Sequence, residues 1–203
     1  MSVVDRVHGG YVHRRRVRVL ADELAVLPGR GARLLDVGCG DGLLAREIKQ
    51  RRPDVDVQGI DVLARPGAHI PVGPFDGRRI PFEDRAFDMV LMVDVLHHTD
   101  DPMVLLREAS RVARAGVLLK DHTNDTPFSG RILRFMDRVG NERHGVNLVY
   151  NYWSTARWRT AFVELGFEAA IWNTRPALYP WPASWVFGSG LHFIAKLTRR
   201  APS

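Results

Sequence analysis

The densest chemistry in this chain sits in seven residues, Asp36-Val37-Gly38-Cys39-Gly40-Asp41-Gly42. Three alternating glycines let backbone approach a ligand where a Cβ would collide. A helical pattern, Leu43 to Arg51, comes directly after them. A helix start offers free N–H groups and partial positive charge to an anionic ligand group. Three histidines, His97, His98 and His122, stand just past two apolar runs. Imidazole exchanges a proton near neutral pH, so each is a candidate general base, with packing or shaping of a substrate as the alternative. Asp94, His97 and His98 are spaced so that one helical turn would put them on one face.

These residues need elements to hold them. A leading helix is expected over 11–27, ending at Pro28-Gly29. Strands are expected at 33–37, 55–60, about 70–75, 87–93 and 116–120, with helices at 43–51 and 102–113. A short helix over 130–139, a helix over 154–165 closed by Gly166, and strands at 167–172 and 191–197 complete the chain. Alternating β and α elements with apolar strands imply a parallel sheet covered on both faces. In such sheets ligands bind beyond the strand C-termini. Each of the first five strands is read as leading into an acid: Asp36, Asp61, Asp76, Asp94 and Asp121. Acids there also begin turns and cap helices, but five along one edge point to a ligand rim.

Composition bounds the rest. With 203 residues and 45% hydrophobic content the chain reads as a single domain, 1–203. Residues 1–30 form an N-terminal cap; 123–157 and 174–190 are expected to form a lid on the acceptor side. The one cysteine, Cys39, allows no intrachain disulfide. The net charge of +6 comes almost wholly from arginine, with lysine only at 49, 120 and 196. Arg14, Arg15, Arg16 and Arg18 read as a solvated helix face, with steering of an anionic substrate as the alternative. The polar, Arg-rich start lacks a signal-peptide core and no apolar run reaches the ~20 residues of a membrane span, so a soluble cytoplasmic protein is expected.

The glycine spacing discriminates between cofactors. A dinucleotide fingerprint needs G-x-G-x-x-G; here the third glycine comes one residue early and Leu43 stands where glycine is wanted. The pattern D-x-G-x-G-x-G is similar to motif I of the class I S-adenosylmethionine (SAM) methyltransferases. Ile80-Pro81-Phe82-Glu83-Asp84-Arg85-Ala86-Phe87-Asp88-Met89-Val90, then Val95-Leu96-His97-His98, resembles the quinone-biosynthesis branch, methyltransferase type 11. The resemblance implies a Rossmann-like, doubly wound α/β/α fold with a seven-stranded sheet, order 3-2-1-4-5-7-6, the last strand antiparallel. It implies that Asp36, Gly38 and Gly40 bound the methionyl end of SAM, and that Asp61 receives the ribose hydroxyls. Asp76 and Gly77 are then assigned to the adenine, Val93 and Asp94 to the sulfonium end. The family usually places a helix between the second and third acids. Here Pro66, Gly67, Pro71, Gly73 and Pro74 leave little room for one. Some relatives bind a divalent metal through acid-x-x-acid-His; His97 replaces the second acid here, and no metal is expected.

The motifs and the resemblance together imply a SAM-dependent methyltransferase acting on a small planar or lipophilic acceptor, most simply at oxygen. Phe128, Phe135, Met136, His144, Tyr150, Tyr152, Trp153, Tyr179 and Trp181 are candidate pocket walls, with Tyr11 closing from above. The same aromatics could instead complete the core or a homodimer contact. The competing readings are an RNA methyltransferase, which would need a basic face beside the pocket, and a non-catalytic SAM-binding module. A nucleic-acid partner is disfavoured, and an NAD-dependent oxidoreductase is disfavoured by Leu43.

Overall fold

Neighbouring residues of a strand face opposite sides, so a strand that buries both must be covered twice. β1 (Arg33–Val37) does this with Leu34 and Leu35, each fully buried. The computed structural model describes residues 3–63, 65–141, 149–188 and 190–200, with backbone alone for 3–13 and 140–141. α1 (Val3–Ala25) leads into β1, α2 (Leu43–Arg51), β2 (Asp56–Asp61), β3 (Val72–Pro74) and β4 (Phe87–Val93). A 3-10 turn (Leu96–His98), α3 (Pro102–Val112), β5 (Ala113–His122) and α4 (Ser129–Asn141) come next. The last elements are α5 (Thr155–Glu164), β6 (Phe167–Asn173), α6 (Ala183–Phe187) and β7 (His192–Arg199).

The seven strands form one sheet in the order β3-β2-β1-β4-β5-β7-β6, parallel except for β7, which runs antiparallel to both β5 and β6. On one face Leu20, Ala21 and Leu24 of α1 and Ala45 and Ile48 of α2 pack on Leu34, Leu91 and Leu118. On the other, Leu105, Leu106 and Ala109 of α3 and Trp158 and Phe162 of α5 pack on Leu35, Val90 and Val117. The expected fold is the observed one.

Several boundaries move. α1 starts well before residue 11, running through Gly9 and Gly10, whose low helix propensity marks a later start in the sequence. Asp36 lies within β1, because it pairs with Gly59 on one side and Leu91 on the other. Asp121 and His122 likewise belong to β5, held by pairing to Phe193 and His192. Only Asp94 stands directly after its strand; Asp61 closes β2 and Asp76 lies two residues past β3. A short helix, α6, forms within 174–190, the segment expected to belong to the lid. Among the described residues no helix lies between β2 and β3, as the prolines there require.

Candidate active site

The glycine turn is closed on the neighbouring strand. Gly38 N and Cys39 N both donate to Ile60 O (2.8 and 3.2 Å), and Gly42 N donates to Cys39 O (2.9 Å). Gly38, Gly40 and Gly42 take φ of 72°, 62° and 74°, the left-handed region that glycine enters freely. A Cβ at Gly38 would stand 2.6 Å from Val95, and one at Gly42 only 2.4 Å from Ile70. At Gly40 the nearest group to such a Cβ is the end of the Arg65 side chain, 3.6 Å away, so that side of the turn meets only a flexible neighbour. Cys39 packs its sulfur over Gly59, and burial with the nearby Asp36 and Asp61 charges pushes its thiol well up, away from reactivity.

Two acids flank this turn. Asp61 accepts from Gly40 N through one oxygen (2.7 Å) and from Leu63 N through the other (2.8 Å). Each oxygen keeps a further acceptor site. Asp36 is 2% exposed, and burial, then the Asp61 charge, raise its carboxyl to about 8. Such a pair suits a ligand that brings an ammonium and hydroxyls, which SAM does. Asp76 is exposed; its Oδ1 accepts from Arg78 N and Arg79 N (both 2.7 Å), which hold it below the usual carboxylate range. Gly77 beside it has φ 81°.

Beyond β4 and β5 lies a knot of charge. Asp94, at φ 56°, is fixed by its N–H to Lys120 O (2.8 Å). Its carboxylate is ion-paired with Arg16 of α1 and with the fully buried Lys120, and His122 Nε2 lies 3.2 Å away. Burial opposes ionisation of Asp94, but Arg16, Lys120 and His122 together hold it well below its ordinary value. Asp121 accepts from Leu96 N (3.1 Å), His122 N (2.8 Å) and His97 Nδ1 (2.6 Å). His97 Nε2 stands 3.3 Å from Asp137 of α4, whose other partner is the Tyr152 hydroxyl.

These contacts separate the three histidines. Burial lowers His97, but the Asp121 and Asp137 carboxylates outweigh it and raise it to about 10; it is an imidazolium hydrogen-bonded to Asp121 through Nδ1, with Asp137 at ion-pair distance from Nε2. His122 is pushed down by burial and by Lys120, and both its nitrogens face acceptors, Asp94 and Leu191 O (3.3 Å). His98 is half-buried, and burial with the neighbouring His97 charge lowers it to about 4. Its buried Nδ1 has no hydrogen-bond partner among the described residues. Of these three, His98 is a neutral imidazole whose unpartnered Nδ1 is itself buried.

The ligand atoms of Asp94, His97 and His122, and those of His97, His98 and Asp137, each lie within 4.8 Å of one another. A divalent cation at the first set would compete with Arg16 and Lys120, and at either set with the proton that His97 holds.

The profile of a family described as "Methyltransferase domain" matches residues 11–170. The chain belongs to this methyltransferase family. A ubiquinone biosynthesis O-methyltransferase of Cereibacter sphaeroides is 36% identical over 112 residues, 48% of this chain and 43% of that protein. The 27-O-demethylrifamycin SV methyltransferase of Amycolatopsis mediterranei is 36% identical over 48% of this chain and 41% of its own. The chain thus matches less than half the length of either relative. Among solved structures, a SAM-dependent methyltransferase from Aquifex aeolicus superposes with a TM-score of 0.62 at 15% identity, covering 95% of this chain and 98% of the other. The cyclase SpnF superposes at 0.63 with 19% identity, covering 93% and 81%. Likeness at these identities is of fold alone.

In this methyltransferase domain Asp36, Gly38, Gly40 and Asp61 gather at one turn, and Asp94, His97, His98 and His122 at the neighbouring strand ends. Val93, half-buried, closes β4 beside them, and Asp76 and Gly77 sit past the outer strand β3. Tyr152 stacks on His97 with ring centres 5.5 Å apart, and Tyr179 approaches His192 at 5.7 Å. Phe128, Phe135 and Trp181 instead face outward, at 67%, 59% and 85% exposure. His144 and the Tyr11 side chain lie outside the described residues. Sequence reasoning missed Arg16, Lys120 and Asp137 as site residues. Lys120 carried a readable signal, being a lone lysine closing the apolar run Val117-Leu118-Leu119. The arginine run is no plain solvated face either: Arg15 donates to Ala177 O and Leu178 O, and Arg16 enters the knot.

Proposed function

We propose that this domain transfers a methyl group from SAM to a hydroxyl of a small lipophilic acceptor. The observation that carries the proposal is a glycine turn between two buried acids, on the same rim as His98, a neutral imidazole whose buried Nδ1 has no hydrogen-bond partner among the described residues. Bound SAM supplies a methyl group already activated on sulfur, so the protein's task is alignment, which can contribute about 7–11 kcal/mol. Asp36 would receive the cofactor's ammonium, a cation that relieves its unfavourable burial. Asp61 would accept from the ribose hydroxyls with the acceptor sites its backbone bonds leave open. Gly38 and Gly40 would border the methionyl end, Asp76 and Gly77 the adenine, Val93 and Asp94 the sulfonium side. On the acceptor side, which the described residues of 123–157 and 174–190 would border, His98 would take the hydroxyl proton. His97 and His122 are positioning residues, held by Asp121 and Asp94 rather than open to an acceptor. The O-methyltransferase relatives support oxygen as the methylated atom.

The test is transfer of labelled methyl from SAM to a panel of hydroxylated aromatic compounds with alkyl tails of increasing length. His98→Ala should lower kcat by about 10²-fold or more, the contribution of a general base, with the SAM affinity unchanged. Because His98 must be neutral to act, activity should fall on the acid side through about pH 4 rather than 6.5. A chain that binds SAM yet labels nothing is a binding module, and a His98→Ala enzyme with wild-type kcat ends the base assignment.

A further inference from the structure

α4 is amphipathic in an unusual sense: its inward face is short and its outward face is apolar as well as basic. Leu133 and Asp137 turn inward, both buried. Outward stand Phe128, just before the helix, then Phe135 and Val139, at 67%, 59% and 64% exposure. Exposed Arg131, Arg134 and Arg138 alternate with them. The only acid of the helix, Asp137, is spent on His97 and Tyr152. Asp125, the nearest acid before the helix, is tied to Thr155 N and Oγ1 (2.7 and 2.6 Å). A cavity of about 350 Å³ opens beside this face, lined by Asn124, Asp125, Thr126, Arg131 and Arg134 among others.

A second apolar group lies at the same sheet edge. α6 precedes β7, whose first residue His192 pairs with His122, the last residue of β5, from which α4 departs. Trp181, Trp185 and Val186 there are 85%, 84% and 48% exposed. The sequence from Pro176 to Leu191 carries no charged side chain. Among the described residues no helix is long and apolar enough to cross a membrane. Aromatic side chains beside arginines whose stems can lie along apolar surface while the heads stay wet match a lipid interface, where depth and charge change together. Arg131, Arg134 and Arg138, which make no ion pair among the described residues, select its sign, since each basic group near an anionic leaflet contributes favourably.

We propose that α4 and the α6 segment dock this chain on an anionic lipid surface, with the candidate active-site rim facing the bilayer. Docking goes beyond methyl transfer and does not depend on it, because it is read by binding alone. The full chain should co-sediment at low salt with vesicles of equal parts phosphatidylglycerol and phosphatidylcholine, and far less with phosphatidylcholine alone. Tryptophan emission should shift to the blue on binding. Arg131→Gln with Arg138→Gln should weaken partitioning about 30-fold. Phe135→Ser with Trp181→Ser should weaken it and reduce the emission shift. All four side chains are exposed, so circular dichroism should be unchanged. Absence of binding to the anionic vesicles overturns the proposal, as does equal partitioning of parent and variants. Variants that convert a dimer to a monomer while vesicle binding persists would assign the face to self-association instead.

Discussion

Asp36 is an acid that the fold keeps from ionising. Burial, then Asp61, raise it from an ordinary value of 3.8 to about 8. The sign of its effect on stability is set by linkage. Below 3.8 the folded and unfolded chains are both protonated there and no penalty exists. Between 3.8 and about 8 the unfolded chain releases the proton that the folded chain keeps, so stability falls as pH rises; above 8 the full penalty stands. Asp36→Asn removes that penalty at little steric cost. The variant should melt several degrees above the parent at pH 9, and the gap should close towards pH 4. Its affinity for SAM should fall about tenfold or more, since the ammonium loses an ionisable partner. Melts at the two pH values with calorimetry check both. A parent more stable than the variant at pH 9 would mean that the fold stabilises Asp36 as an anion, and the cation-receiving role would lose its basis.

At the scale of elements, α1 is fastened to the sheet by charge as well as by its apolar face. Arg16 reaches Asp94 after β4, Lys120 meets the same carboxylate from β5, and Arg15 holds the backbone before α6. Removing one partner of a buried pair leaves the other uncompensated, at about 3–5 kcal/mol. Asp94→Asn strands two cations and should cost about that much. Arg16→Ala strands none, because Lys120 still pairs Asp94, and Arg16 keeps 29% of its side chain exposed; about 1–2 kcal/mol is expected. Urea denaturation ranks them, and equal losses would show that the knot is not shared. The same elements show what a sequence can disclose. β4 is legible from Phe87 to Val93 because every residue but Asp88 is apolar, as suits a strand buried on both faces. The start of α3 is legible too: Asp101 accepts from Met103 N (2.9 Å) and Pro102 sits in the first turn. The glycine turn needed only spacing. Arg16 and Asp137 were hidden because each lies on a helix whose charges look solvated, and only the packing of α1 and α4 over the strand ends turns them inward. His97 kept its predicted place but changed its chemistry, since Asp121 and Asp137 reach it from another strand and a distant helix.

Across the whole molecule, the proposed cofactor side and the proposed acceptor side draw on different parts of one sheet. The glycine turn belongs to β1 and closes on β2, while the charge knot draws on β4, β5, α1 and α4. A ligand spanning both should stabilise the sheet through its centre, because anything bound only by the folded state adds free energy by mass action. S-adenosylhomocysteine at 100 times its dissociation constant should add about 2.7 kcal/mol. For a chain of this size that is a rise in Tm of roughly 5–10 °C. Asp61→Asn should shrink the rise at the same ligand concentration by weakening binding at the turn. NAD should produce none, because Leu43 stands where its fingerprint needs a glycine that lets helix and strand pack closely. A melt that NAD shifts and S-adenosylhomocysteine does not would transfer the glycine turn to a dinucleotide. A shift from S-adenosylhomocysteine that Asp61→Asn leaves intact would keep the cofactor but move its ribose away from β2.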